Sequence, residues 1–287
     1  MKAHRNKILS LFLAVLLSWS CQEVIDLELN EADPKIVIEG EIVNKNTIHR
    51  IRISESLNYY DTGRMNPVSD AEIRLLDENN NVISGFIYNP QDSNYQTYDS
   101  LRLEIGAEYK IQIEINDELL EAKGKLLENA TLDSIYYLSD KEMQALGQPV
   151  FGEGYFLFVD GRLNNEGVEY FKLDVIVNDT LRNSRGALSN SILTSEFFGK
   201  EFQALPVPGS FEEADTVDLE LYTLNEDVYQ YYVEFINLLF NDGGVFSPPP
   251  VNPDSNIKNI TNPENEPLGF IQFSSVQRRS LVIKKRD

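Results

Sequence analysis

Between residues 35 and 126, apolar and polar side chains alternate with a period of two. Ile51 and Ile53 alternate with Arg50 and Arg52; Ala71, Ile73 and Leu75 with Glu72 and Arg74; Tyr109, Ile111, Ile113 and Ile115 with Lys110, Gln112 and Glu114. That period puts an apolar row on one face and a charged row on the other, as in strands whose sheet covers a core on one side. Turn formers separate the runs. Asp77-Glu78-Asn79-Asn80-Asn81 joins the strand at 71–76 to the apolar run Val82 to Tyr88, and Asn116-Asp117 joins 109–115 to 118–125. About seven short strands predict an immunoglobulin-like β-sandwich domain over 35–126.

From residue 131 the pattern changes. Strands are expected at Ile135 to Leu138, Tyr155 to Val159, Tyr170 to Val177 and Val217 to Tyr222, with 141–154 and 199–215 reading as loops. One helix is expected at about 226–241, with Asn225 as N-cap, Glu226 and Asp227 in its first turn, and Val228, Tyr231, Tyr232, Phe235, Leu238 and Leu239 on one face. Ser247-Pro248-Pro249-Pro250 then forces an extended loop, and a final pair of strands covers roughly 268–274 and 278–285. The fold class is mainly β, a sandwich followed by a β-rich domain over 131–287 with one packed helix.

Residues 1–20 read as a signal peptide: Lys2, Arg5 and Lys7 precede the apolar stretch Ile8 to Leu17, which is too short to span a bilayer. The single Cys of the chain, Cys21, follows small Ser20 where a lipoprotein signal peptidase would cut, so it is read as the lipidated first residue, with 21–34 as a tether. Several acyl chains anchor a soluble body stably. The full chain carries 25 Lys+Arg against 46 Asp+Glu, a formal charge of -21, and loses only basic residues with the leader. A nucleic-acid backbone would be repelled, and the anchor owes nothing to attraction by anionic lipid.

With two His and one Cys in all, there is no metal cluster to expect and little material for His-based catalysis. His49, beside Arg50 and Arg52, reads as a solvated histidine at a strand edge. The acid pairs Glu212-Glu213 and Glu226-Asp227 would suit glycoside hydrolysis only if they faced one another; neighbours in a turn point apart. No catalytic residue, cofactor or metal is assigned. Two loops present aromatics in polar surroundings, Tyr59 and Tyr60 in one and Phe246 in the other, and are candidate binding elements. Arg278, Arg279, Lys284 and Lys285 concentrate positive charge near the C-terminus, either pairing with acidic strands or forming a docking patch.

Several segments together resemble one family, the four-two-four-nine domain-of-unknown-function family of Bacteroidetes lipoproteins. They are Cys21 to Leu27, Pro34 to Gly40, Pro67 to Ala71, Leu132 to Tyr137, the helix with Tyr229 to Phe235, Phe246 to Pro249, Asn256 to Asn259, and Leu268 to Phe270. The stretch 259–267 is a long insert relative to that pattern. The first domain is also similar to the prealbumin-like regulatory domains of carboxypeptidases. The family resemblance implies an outer-membrane lipoprotein, on either face of that membrane, found alongside TonB-dependent receptors, and implies no catalytic residue. The leading expectation is therefore a lipid-anchored accessory or binding protein working with such a receptor in nutrient uptake. The alternatives are an envelope glycan hydrolase using acidic residues and a structural or adhesive surface lipoprotein.

Overall fold

The computed structural model describes residues 33–57, 63–150, 152–164, 167–197, 199–243, 247 and 249–285. Residues 34–287 form one compact unit. Its first strands are β1 (Ile36–Val43), β2 (Arg50–Glu55), β3 (Glu72–Asp77), β4 (Val82–Asn89), β5 (Asn94–Thr97), β6 (Glu108–Ile115) and β7 (Glu118–Lys125). β8 (Thr131–Ser139), helix α1 (Asp140–Ala145), β9 (Tyr155–Arg162), β10 (Tyr170–Val177) and β11 (Thr180–Leu181) follow. Then come α2 (Arg185–Ser191), β12 (Ile192–Thr194), β13 (Glu201–Pro206), β14 (Thr216–Leu224), α3 (Glu226–Phe240), β15 (Lys258–Asn259) and β16 (Leu268–Val282). The fold is mainly β, as the alternation predicts.

The strands form a large mixed sheet, ordered β11-β10-β14-β16-β1-β2-β5-β4-β3-β6-β7-β15 with β12 beside β10, and a small sheet β13-β9-β8. β4 turns the corner of the sandwich: its residues Phe86 to Asn89 pair with β5, and Val82 to Gly85 with β3. The alternating positions fill the first core, where Ile38, Ile51, Ile53, Ile73, Leu75, Ile111 and Ile113 are all buried. The β6–β7 turn carries its two residues, Asn116 and Asp117, at φ 51° and 60°, the left-handed backbone that a two-residue hairpin needs and that Asn and Asp tolerate.

A second core lies between the small sheet and β10–β14, from Leu157 and Val159 to Phe171, Val217 and Leu219. The clusters change over at Leu126 and Ala130, yet Ile257, Ile271 and Phe273 belong to the first. The reason is β16. The sequence suggests two strands here, but the structure has one of 15 residues. Its first half pairs in parallel with β1 and its second half antiparallel with β14. Ile271 and Phe273 therefore enter the first core, and Leu281, on the same strand face, packs against the second. Between them Ser275 donates to Leu127 O, Gln277 accepts from Leu132 N, and Arg279 Nε donates to Leu132 O at 3.0 Å, so the chain linking the two cores is clamped across β16.

Two expected loops hold structure. Residues 140–145 form α1, started by a reciprocal capping box between Ser139 and Glu142. Residues 201–206 form β13, whose pattern is hidden by a bulge between Phe202 and Leu205 with Ala204 at φ 51°. His49 is buried at 1% exposure, not solvated: its Nδ1 accepts from Val43 N at 3.5 Å and its own N–H donates to Thr97 Oγ1.

Candidate functional site

On the outer face of β10, β14, β16 and β1, alternation places charged side chains where a one-sided sheet would meet water. Here α3 covers part of this face, while Glu39 stays exposed. Tyr170 stacks on Tyr229 at 4.3 Å and Tyr231 lies against Phe270 at 4.2 Å. Tyr232 donates to Gln272 Oε1 at 2.9 Å, and Gln272 donates to Ser274 Oγ at 2.8 Å. Beneath the helix Lys172 pairs with Asp174 at 2.6 Å, with side chains only 11% and 13% exposed, and lies over the ring of Tyr222 at 4.9 Å. Lys45 pairs with Glu220 at 2.6 Å, whose other oxygen accepts from Tyr222 at 2.7 Å.

Burial pushes the Glu41 carboxyl above the usual range, with Lys172 opposing that shift. It also raises the Tyr222 and Tyr232 hydroxyls, which remain neutral. Burial pushes Glu220 upward too, but the hydrogen bonds from Lys45 and Tyr222 outweigh it and leave its carboxyl below the usual range. Asp218 is lowered by its hydrogen bonds from Arg278 and Ser280. These groups hold one another. Glu39, Glu41, Lys172, Asp174, Asp218 and Glu220 look like solvated alternating positions in the sequence, and nothing local announces the helix that lies over several of them.

Beside this covered face, α3 forms one wall of an open groove of about 620 Å³. Asp227, Gln230, Tyr231 and Glu234, spaced i, i+3, i+4, i+7, share the face that lines it. The opposite wall is the outer face of β6, β7 and β15, with Lys110, Glu121, Lys123 and Lys258; Asp254, Ser255 and Asn256 close one end. Asn225 stands at the N-cap position of α3, but its side chain makes no cap. Its Nδ2 donates instead to Lys125 O at 3.0 Å and Phe273 O at 2.9 Å, tying the helix start to β7 and β16. Asn256 exchanges two bonds with the Ile271 backbone at 2.8 and 3.0 Å. The start of α3 and the 254–256 stretch are thus each tied to β16.

Of the positions singled out from sequence, Cys21, Tyr59, Tyr60 and Phe246 lie outside the described residues. Arg278 and Arg279, consecutive on β16, point to opposite faces: Arg278 pairs with Asp218 at 2.7 Å, and Arg279 reaches Leu132 O. Lys284 and Lys285 are exposed. Glu212 and Glu213 are exposed, while Glu226 accepts from Tyr170 at 3.4 Å. Among the described residues no group of three or more His, Cys, Asp or Glu is arranged to hold a metal. The stretch at 259–267 is anchored by Glu118, which accepts from Asn259 at 2.8 Å and also from Asn262 and Asn265; together these bonds outweigh burial and keep its carboxyl low.

No curated protein matches the chain. The sequence profile described as Domain of unknown function (DUF4249) matches residues 22–280. That span runs from the residue after Cys21 into the second half of β16 and includes the first core, nearly all of the second and the groove, so the chain belongs to the DUF4249 family.

Proposed function

We infer that the protein is a lipid-anchored accessory or binding protein of the outer membrane that works with a TonB-dependent receptor in nutrient uptake. The observation that carries the reading is the single Cys at position 21, behind a basic and then apolar leader and ahead of a short polar stretch to the body at Pro34. The resemblance to envelope lipoproteins supplies the receptor as partner. The state of the charged groups supports binding over turnover: the pairs Lys172–Asp174 and Lys45–Glu220 are spent on each other, whereas the groove beside α3 stands open. Lys284 and Lys285 remain as the exposed C-terminal cations for a receptor contact.

The anchor is tested by replacing Cys21 with Ala. Cys21 precedes the folded unit, so the variant is expected to keep the wild-type melting temperature, lose incorporation of a fatty-acid probe, and leave the membrane fraction. A wild-type protein that takes up no probe and still sediments with membranes would remove the basis of the reading.

A further inference from the structure

We propose that the groove between α3 and β6–β7 binds an extended polypeptide segment carrying both acidic and basic side chains. This deepens the accessory-protein reading and rests on it for the partner's biological setting, but not for the binding itself. Apart from Glu121 on the sheet side, the two walls carry opposite charge. Lys110, Lys123 and Lys258 stand on the sheet side; Asp227 and Glu234 on the helix side, with Asp254 beside them.

Three features separate this groove from an ordinary mixed surface. Lys110 and Lys123 are direct partners in the β6–β7 register, an arrangement that like charge disfavours unless an anion offsets it. Lys110 is partly offset by Glu121 at 3.6 Å and by Asn80 at 2.6 Å; Lys123 has no ion pair among the described residues. Among the described residues no salt bridge crosses the groove: Lys258 turns to Glu266 at 3.1 Å, and Glu234 accepts from the backbone N–H of Asp254 at 2.9 Å. Finally, Asn225 ties the start of α3 to β7 and β16, Asn256 ties the 254–256 stretch to β16, and Glu234 holds Asp254 N, so a ligand has little of the site left to organise.

An extended chain fits this charge layout because its side chains alternate between two opposite sides. Acidic positions then face the lysines while basic positions face the carboxylates. From Asp227 to Glu234 the helix rises about 10 Å at about 1.5 Å per residue, the reach of roughly three extended residues. Tyr231, whose hydroxyl burial raises to about 12, remains a neutral donor on the helix wall. An uncharged oligosaccharide would offer Lys123 and Asp227 no opposite charge.

The test is fluorescence anisotropy of the full-length protein in detergent with a labelled, end-blocked (Glu-Lys)4 peptide, at near-physiological salt. Lys123 and Asp254 are both exposed, so Lys123→Glu and Asp254→Lys can be made without touching a core, and thermal melts check that each folds. Both variants are expected to weaken (Glu-Lys)4 binding about tenfold, and the double variant to recover part of it, since an alternating peptide offers both charges to either wall. Should either reversal unfold the protein, Lys123→Gln and Asp254→Asn replace them, with a smaller loss in the same direction. General attraction to an acidic protein acts on net charge, which this peptide lacks, so binding that neither reversal weakens overturns the proposal. So does an absence of peptide binding, or saturable binding of a neutral oligosaccharide that excludes the peptide. None of these outcomes alters the fatty-acid labelling at Cys21, so failure of the groove and failure of the anchor are distinguished.

Discussion

Glu41 and His49, near the two ends of the β1–β2 connection, work against pH in opposite directions. Burial raises the Glu41 carboxyl, so the folded state binds its proton more tightly than the unfolded chain does; the stability this gives is complete below about pH 4.5 and is lost as pH rises through the raised folded value. Burial lowers the His49 imidazole, so its contribution is present above about pH 6.5 and is lost as pH falls toward the lower folded value. Glu41→Gln is therefore expected to raise the melting temperature at pH 8, with the gain shrinking toward pH 5. His49→Gln should flatten the wild-type loss of stability below pH 6.5, and melts over pH 5 to 8 check both. Lys172 supplies a second test. Removing it as Lys172→Met strands Asp174, 13% exposed, and should cost about 3 kcal/mol. Lys172→Met with Asp174→Leu should cost clearly less, measured by denaturant unfolding. The alternation was legible at Glu41, Lys172 and Asp174, but their burial beside α3 was not, and the burial of His49 rests on Val43, Thr97 and Leu101, the last two distant in the chain.

Secondary-structure elements with strong local signals were legible in the sequence. The period-two runs became strands, Asn116-Asp117 became the expected hairpin turn, and the Val228 to Leu239 stripe became α3. What local pattern could not give was the use of an element by distant partners. Asn225 looks like a capping residue, yet its amide clamps β7 and β16. β16 reads as two strands because its halves serve different neighbours, β1 and β14, and because the helix above it buries Gln272 and Ser274 on the face where polar residues ordinarily mark solvent. Near its start, Gly269 has φ 85°, and a Cβ there would lie 2.1 Å from Ile38 O. Gly269→Ala cannot be accommodated without moving β1 or β16. It should destabilise the protein by more than about 1 kcal/mol, read by urea unfolding, whereas Gly106→Ala, also at positive φ but with open space around it, should cost less.

At the scale of the whole molecule, the mainly β body was readable from the sequence and its connectivity was not. The first core gives way to the second between Leu126 and Ala130, and the return of the C-terminal strand to β1 is a long-range pairing with no local signature. The candidate site was less legible than the fold, since the groove assembles from β6, β7, α3 and the 254–260 stretch, none of which carries a motif for it. The functional account joins this body to an anchor at Cys21 and a receptor in the same membrane, where shared confinement raises the effective concentration of each partner for the other. The most direct measurement is purification of the tagged protein from its native membranes in mild detergent, followed by identification of the co-eluting proteins. A TonB-dependent receptor recovered with the wild type, and lost with Cys21→Ala, is the predicted result. Repeated recovery of the protein alone, or turnover of an envelope glycan by the purified protein that disappears on changing one acidic pair, would contradict it.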